Sequence, residues 1–288
     1  MQPTGAFKVR GAANALTSLT PEALRRGVVA VSTGNHGRAV AYVARELGAS
    51  ATVFVSTRVP ENKLVALRAV GATLVVRGDS QDEAEDAARE YAQAEGAALI
   101  PPFDDPHVIA GQGTLGLDVL EEVPEVRTVL VPLSGGGLIA GVGLALKSVD
   151  PSIRVVGVSM EEGAAMYASL RAGATVEMPE ADTLADSLQG GLGRDNRYTL
   201  RAVQELVDEV VLVSEAAIAG AMRHAFDHHS MVLEGAGAVT LAAVIQDAVD
   251  LAGATAVGAG SGPTVLIASG GNVSAEVFAR VLQGDDGP

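Results

Sequence analysis

The stretch VVAVSTGNHG, residues 28–37, shows the pattern that decides the fold: a short apolar run passes through a polar turn into a helix. Residues 28–32 predict a buried strand, and residues 37–47 have helical spacing and end at Gly48. The alternation continues with predicted strands at 51–55, 73–76 and 97–100, and with predicted helices at 60–70 and 81–95. Strands that alternate with helices of this length indicate right-handed crossovers and a parallel sheet.

A second set of alternating elements follows a proline-rich interruption at residues 101–106, close to which we place a domain boundary. We expect residues 160–206 to be largely irregular and 251–262 to form a Gly/Ala-rich loop. The sequence predicts strands at 128–132, 154–159, 207–214 and 264–268, and helices at 138–148, 215–228, 236–247 and 274–282. The predicted fold class is therefore α/β, with two domains that are each an open, mostly parallel sheet flanked by helices.

The composition argues against several classes of function. A chain of 288 residues is long enough for two domains, but 3 % aromatic residues and a net charge of −15 do not suit nucleic-acid binding. The absence of cysteine excludes disulfides and thiolate sites, and it fits a reducing cytoplasm. Two uncharged runs, 128–146 and 251–275, contain proline and glycine, and no signal-peptide pattern is found. We therefore predict a soluble protein without membrane spans.

The turn at residues 32–37 is the first candidate binding site. Its two glycines let the backbone approach a ligand, and the following helix offers N–H groups to an anion. In an open α/β sheet, ligands bind beyond the carboxyl ends of strands, as here. The alternative is a tight turn capped by Ser32, but such a turn does not need both Asn35 and His36.

Two further turns lie at predicted strand ends. Residues 134–138, SGGGL, join a strand to a helix and are typical of a backbone cradle for a phosphate, although glycine-rich turns also occur without ligands. The pattern lacks the features of nucleoside-triphosphate and dinucleotide loops, which favours a phosphate on a small cofactor. Ser269 either donates to or accepts from a ring nitrogen, or only caps the last helix.

Lys8, within QPTGAFKVRGA at residues 2–12, is the candidate for covalent chemistry. A lysine amine attacks an aldehyde when it is kept neutral and fixed in position. The alternative is an ordinary basic residue near the start of the chain.

Taken together, these motifs resemble the threonine dehydratase / serine racemase family, pyridoxal phosphate enzymes with the tryptophan synthase β-subunit fold. The resemblance implies that Lys8 holds the cofactor as a Schiff base and acts as general base. It also implies that Ser32, Thr33, Asn35 and His36 bind the substrate, whose carboxylate meets this loop. The cofactor residues it implies are Phe7 beside the ring, Asn35 at the ring hydroxyl, Gly135, Gly136, Gly137 and Leu138 around the phosphate, and Ser269 at the pyridine nitrogen.

The activity implied by the resemblance is that of a lyase: a dehydratase that converts a β-hydroxy amino acid of the L-threonine or L-serine type to a 2-oxo acid and ammonia. A racemase of the same family is an alternative, because Thr33 keeps a hydroxyl where a second acid/base would stand. A catalytically silent cofactor-binding protein is another. The family organisation implies a large domain made of residues 1–26 and 108–288, a small domain at 27–107, and a homodimer.

Residues 160–166 and 184–199 resemble a finer branch, the hydroxyectoine utilization dehydratases. Family members usually carry a first strand before the lysine motif, so we expect either a shortened chain or a site that is open on one side. The family positions for a divalent cation read Ser159, Gly163 and Ala165, so we predict no metal there. The spacing of His224 and His228 suits metal ligands, but no third ligand is evident.

Overall fold

The computed structural model describes residues 2–59, 61–179, 181–193, 195–250 and 262–287. The chain divides into two compact units, Met1–Gly111 and Gln112–Pro288, and each contains one four-stranded parallel sheet with helices packed on it. This confirms the predicted fold class. The division into residues 1–26 with 108–288 and a separate domain at 27–107 stays a prediction.

The first unit has its strands in the order β3-β2-β1-β4, all parallel. The apolar residues of β1 and β2 are buried except for Val31, which is partly buried, as expected for the centre of a parallel sheet. In chain order its elements are α1 (Lys8–Thr17), α2 (Pro21–Arg26), β1 (Val28–Val31), α3 (Asn35–Glu46), β2 (Ala51–Val55), α4 (Glu61–Ala69), β3 (Thr73–Val76), α5 (Gln81–Glu95), β4 (Ala98–Leu99) and the start of α6 (Pro106–Glu122).

The core of this unit joins α1 to the sheet through α3. Val9, Ala12 and Leu16 of α1 lie in one buried cluster with Val40 and Val43 of α3. The same cluster contains alanines of both helices, Ala12 and Ala15 in α1 and Ala39 and Ala44 in α3, and these small side chains let the helices pack closely. The packing fixes the first turn of α1, and therefore Lys8, relative to the start of α3.

The second unit has its strands in the order β7-β6-β5-β8, again all parallel. Strand β5 is central and fully buried. Its elements are β5 (Thr128–Pro132), α7 (Gly137–Val149), β6 (Arg154–Met160), α8 (Ala165–Ala172), a 3₁₀ turn (Asp186–Leu188), α9 (Thr199–Leu206), β7 (Glu209–Val213), α10 (Glu215–His229), α11 (Gly235–Ile245), β8 (Thr264–Leu266) and α12 (Ala275–Leu282).

Several helices begin at a serine or threonine whose side chain caps the helix N-terminus. The hydroxyls of Thr20, Ser80, Ser214 and Ser274 each accept a hydrogen bond from the backbone N–H three residues later. A cap of this kind satisfies one of the N–H groups that a helix start leaves unpaired. These bonds explain why α5, α10 and α12 begin within one residue of the predicted positions.

Residues 160–206 are less irregular than expected. The segment contains α8, the 3₁₀ turn and α9. Helix α9 buries Thr199 and Val203 on one face, and the side chain of Asn196 accepts from the N–H of Leu200. The helical signal is short and follows several glycines, so it does not emerge from spacing alone.

Helices α1 and α6 also lie outside the predicted set. Three glycines in α6 lower its helical propensity, but each allows close packing. A Cβ on Gly111 would lie 2.5 Å from the carbonyl oxygen of Arg10, and one on Gly116 would lie 2.8 Å from Cβ of Ala145. Tertiary packing therefore overrides propensity here.

Some strands are shorter in the structure than predicted. Strand β1 ends at Val31, β4 comprises only Ala98–Leu99, and β7 begins at Glu209. The predicted loop at 251–262 lies outside the described residues except for Gly262. None of the helices within the described residues combines the length and apolar character needed to cross a membrane.

Candidate active site

Lys8 is the first residue of α1, and its amine is held inside the first unit. Nζ donates a hydrogen bond to the carbonyl oxygen of Pro102 at 2.7 Å and lies 5.3 Å from the centroid of the Phe7 ring. The residue as a whole is partly buried, but protein atoms surround the amine. This desolvation lowers the pKa of Lys8 from 10.5 to about 8. A much larger fraction of the amine is therefore neutral near pH 7 than for an exposed lysine.

His36 lies in the first turn of α3 and is 3 % exposed. Its Nε2 is 2.8 Å from the carbonyl oxygen of Ile100. A carbonyl oxygen can only accept, so Nε2 carries the proton and Nδ1 does not. Burial, and secondly the charge of Lys8, lower the pKa of His36 from 6.5 to about 3, although the bond to Ile100 acts in the opposite direction. The imidazole is therefore neutral around pH 7.

The turn at residues 32–37 connects β1 to α3, as predicted. The N–H of Gly34 donates to the hydroxyl of Ser32 at 3.3 Å. Gly37 packs against the carbonyl of Ser32, where a Cβ would clash. Helix α3 thus starts directly beyond the carboxyl end of β1 and points the positive end of its dipole at this sheet edge.

Two residues of this site were not predicted from the sequence, Ile100 and Pro102. Both act through backbone carbonyls just after β4, which pairs with β1. The N–H of Ile100 donates to the carbonyl of Val29, which ties the segment to the central strand. Since every residue has a carbonyl, only the position of the segment at a strand end could have indicated this role.

The second unit holds the predicted phosphate turn. Gly135 and Gly136 follow β5, and Gly137 and Leu138 open α7. Gly136 has φ of +87°, and a Cβ there would lie 2.8 Å from Cε of Met166. Both the backbone conformation and the space therefore require glycine. The 13-residue helix α7 starts here, so its first N–H groups suit an anion.

Ser269 lies at the same sheet edge of the second unit as the glycine turn. Strand β8 pairs in parallel with β5, and the N–H of Ile267 donates to the carbonyl of Leu130 at 3.0 Å. Ser269 follows two residues later and is 8 % exposed. The carboxyl ends of parallel strands meet at one edge, so this placement fits the predicted pair of contacts to one ligand.

Glu234, at the start of α11, borders the Ser269 loop. Its N–H donates to the carbonyl of Gly270 at 3.2 Å, and Ser187 Oγ donates to its carboxylate at 3.5 Å. The side chain is 4 % exposed. A buried carboxylate therefore lies beside this loop, at the helix end where the dipole favours a negative charge.

The three positions that correspond to the family's cation site lie within and after β6. Ser159 ends up buried within that strand, and Gly163 and Ala165 precede and open α8. Among the described residues, no group of three or more His, Cys, Asp or Glu side chains is arranged to hold a metal ion. The rings of His224 and His228 on α10 contact each other at a centroid distance of 4.4 Å, with their planes tilted by 42°.

The structure thus groups the predicted residues by unit. The first unit brings Phe7 and His36 to Lys8, and Ser32, Thr33 and Asn35 share the turn with His36. The second unit places the residues of the glycine turn and Ser269 at one edge of its sheet. Their individual roles stay predictions. The residues fit the implied cofactor: a desolvated amine suits its aldehyde, and a glycine turn at a helix start suits its phosphate.

Comparisons with known proteins agree with this chemistry. The chain is 48 % identical to a Sinorhizobium fredii protein assigned as a threonine dehydratase, over 98 % of this chain and 83 % of the relative. It is 42 % identical to an L-threonine ammonia-lyase of Geobacter sulfurreducens, over 98 % of this chain and 68 % of that enzyme. The solved structure of maize serine racemase superposes with a TM-score of 0.87 at 34 % identity and covers 98 % of this chain and 84 % of that one.

The family model described as pyridoxal-phosphate dependent enzyme matches residues 1–274, nearly the whole chain. Its span includes Lys8, both glycine-containing turns and Ser269. The chain therefore belongs to the family of pyridoxal-phosphate dependent enzymes.

Proposed function

We propose that this chain is a dehydratase that removes water from a β-hydroxy amino acid of the L-threonine or L-serine type and yields a 2-oxo acid and ammonia. The proposal depends on the state of the Lys8 amine. Burial lowers the pKa of this amine, and a hydrogen bond to the carbonyl oxygen of Pro102 holds it in place. Such an amine can both hold the cofactor and move a proton at the substrate α-carbon. Similarity to threonine dehydratases and L-threonine ammonia-lyases supports this substrate class.

The residues of the first unit handle the substrate in this proposal. Lys8 removes the α-proton in its neutral form, a form that its lowered pKa makes accessible near pH 7. The turn at residues 32–37 binds the substrate carboxylate through backbone N–H groups at the start of α3. The side chain of His36 is neutral, and its N–H is bonded to Ile100, so it contributes no charge to that contact.

The remaining predicted residues hold the cofactor. Gly135, Gly136, Gly137 and Leu138 would hold its phosphate, Phe7 would flank the ring, and Asn35 would contact the ring hydroxyl. When bound, pyridoxal phosphate supplies an electron sink for the carbanion formed at the α-carbon. Ser269 would meet the pyridine nitrogen with a neutral hydroxyl, which does not hold that nitrogen protonated and therefore favours elimination over transamination.

Borohydride reduction followed by mass spectrometry tests the central assignment. We expect a phosphopyridoxyl group on Lys8, and 2-oxo acid formation from L-threonine or L-serine that is lost in Lys8→Ala. An adduct on another lysine would refute the site. Cofactor on Lys8 without turnover of any β-hydroxy amino acid would instead identify a catalytically silent cofactor-binding protein.

A racemase is the second candidate, and Thr33 is the residue that favours it. Thr33 lies in the turn two residues before Asn35, and the chain resembles maize serine racemase over nearly its whole length. Racemisation yields the enantiomer of the amino acid, whereas dehydration yields 2-oxo acid and ammonia. Chiral chromatography of the products distinguishes the two, and Thr33→Ala should abolish racemisation if Thr33 is the second acid/base.

We also propose three finer properties. The similarity of residues 160–166 and 184–199 to hydroxyectoine utilization dehydratases supports a substrate derived from hydroxyectoine breakdown. The resemblance to the threonine dehydratase / serine racemase family supports a homodimer. The lack of cysteine supports a cytoplasmic location.

A further inference from the structure

The amine of Lys8 and the imidazole of His36 are both bound to one short backbone segment. Lys8 Nζ donates to Pro102 O at 2.7 Å, and His36 Nε2 donates to Ile100 O at 2.8 Å. These two carbonyls are separated by a single residue, Pro101. The segment therefore links a buried histidine from α3 to the lysine at the start of α1.

The sequence of this segment makes the link stiff. Pro101 and Pro102 have φ fixed near −65°, within about 15°. Each proline also restricts the residue before it to extended conformations, which applies to Ile100 and to Pro101. The direction of the Ile100 carbonyl is consequently coupled to that of the Pro102 carbonyl, because few torsions between them can absorb a rotation.

His36 is suited to hold such a segment without adding charge. It is 3 % exposed, and its imidazole is neutral, so it does not repel the Lys8 ammonium. The other end of the segment is fixed by the bond from Ile100 N–H to Val29 O in β1. Ile100 is thus bound through both its N–H and its carbonyl, and Pro102 is left as the acceptor that faces Lys8.

We propose that His36 is a positioning residue for Lys8: by holding the Ile100 carbonyl, it keeps the Pro102 carbonyl aimed at Lys8 Nζ as a docking point for the amine when it is not bonded to the cofactor. The inference rests on the proposed function, in which Lys8 alternates between holding the cofactor and moving a proton. A docked amine stays within the site and keeps a defined direction while it is released.

The test is the titration of Lys8 in the cofactor-free protein, measured by the pH dependence of its acetylation by trace acetic anhydride and read by mass spectrometry. In His36→Leu the donor to Ile100 is removed at similar side-chain volume. The Lys8 ammonium then loses its fixed acceptor while it stays desolvated, so the midpoint should fall below about 8 by about one pH unit or more. His36→Gln, which retains an N–H donor, should restore the midpoint.

Two controls accompany this measurement. His107→Leu replaces an exposed histidine of α6 and should leave the Lys8 midpoint unchanged. Lys147, which is ion-paired with Asp208 at 2.7 Å in the second unit, serves as an internal reference lysine in every sample.

An unchanged Lys8 midpoint in folded His36→Leu, or one that rises toward 10.5, overturns the proposal. If His36→Leu does not fold, His36→Gln alone decides. A Lys8 midpoint in His36→Gln equal to that of unfolded protein overturns the proposal, and a midpoint equal to that of the wild type supports it.

This readout does not depend on turnover. If the borohydride experiment finds no cofactor on Lys8 while His36→Leu shifts the Lys8 titration, the proposed function fails, and only the structural coupling of His36 to the Lys8 amine stands. If the cofactor is found on Lys8 and the titration does not shift, the function stands and the positioning role fails.

Discussion

Gly237 of α11 lies so close to Gly270 that a Cβ atom at position 237 would overlap the carbonyl oxygen of Gly270 and lie 3.0 Å from its nitrogen. Gly270 follows Ser269, and the N–H of Glu234 donates to the same carbonyl. The position of Ser269 is therefore set by how closely α11 approaches the turn after β8. This close approach is possible only because residue 237 is a glycine and has no side chain.

Gly237→Ala should consequently displace the Ser269 turn. A backbone carbonyl cannot move aside as a flexible side chain can, so we expect a loss of stability of about 1–3 kcal/mol. The affinity for pyridoxal phosphate should fall as well, which absorbance titration of the cofactor-free protein measures. Gly220→Ala, in α10, is the control: its Cβ would have no atom closer than 4.0 Å, so stability should stay equal or rise slightly. Equal effects of the two substitutions would contradict the role of the contact.

Gly136→Ala should weaken cofactor binding for a related reason. The residue has φ of +87°, and its Cβ would meet Met166, Thr199 and Val203 at 2.8–3.1 Å. The backbone strain costs about 1–2 kcal/mol, and the crowding would shift the turn that we expect to hold the phosphate. We expect the dissociation constant of pyridoxal phosphate to rise about tenfold or more.

The matched control for this substitution is Gly173→Ala at the end of α8. Gly173 also has a positive φ, +72°, but no atom lies within 4 Å of its would-be Cβ. It therefore reports the cost of the backbone conformation alone. Cofactor affinity that falls as much in Gly173→Ala as in Gly136→Ala would show that the effect is general destabilisation.

The sequence predicts those parts of this fold that depend on local patterns. β2, β3, β5 and α5 have the predicted bounds because uninterrupted apolar runs and a Ser80 cap determine them locally. Helix α6 was not predicted because its glycines are explained only by the partners they touch, Arg10 and Gly141 among them. In the same way Lys8 and His36 could be selected by residue type, whereas the carbonyls of Ile100 and Pro102 that hold them could not. Backbone groups carry no sequence signal, and their role arises from the pairing of β4 with β1.

The buried His36 should make the protein sensitive to acid. Its pKa is about 3 in the folded state and about 6.5 when exposed, so the unfolded chain binds the proton more tightly than the folded one between these values. The free energy of unfolding therefore carries the full contribution of the neutral imidazole above pH 6.5. This contribution decreases by about 1.4 kcal/mol per pH unit as the pH falls from 6.5 toward 3. Between pH 7 and pH 5 the wild type should lose about 2 kcal/mol more than His36→Gln, which has no titrating group.

Urea unfolding of both proteins at several pH values measures this difference. The carboxylates titrate in both proteins, so their contribution cancels in the comparison. Parallel stability curves for wild type and His36→Gln would show that the imidazole is accessible to protons in the folded protein. That result would also remove the reason for treating His36 as neutral.

Glu215→Ala should destabilise the segment that precedes the 3₁₀ turn. The Glu215 carboxylate accepts from Thr183 Oγ1 at 2.5 Å and from the N–H of Leu184 at 2.8 Å, and both partners are 7 % exposed. Truncation leaves that N–H buried without its acceptor, which costs about 1–3 kcal/mol, and Glu215→Gln, which retains one acceptor oxygen, should cost less. Glu276→Ala removes an exposed carboxylate from the first turn of α12 and therefore measures the helix-dipole contribution alone. Urea unfolding that gives the same loss for Glu215→Ala and Glu276→Ala would mean that the two hydrogen bonds add nothing to stability.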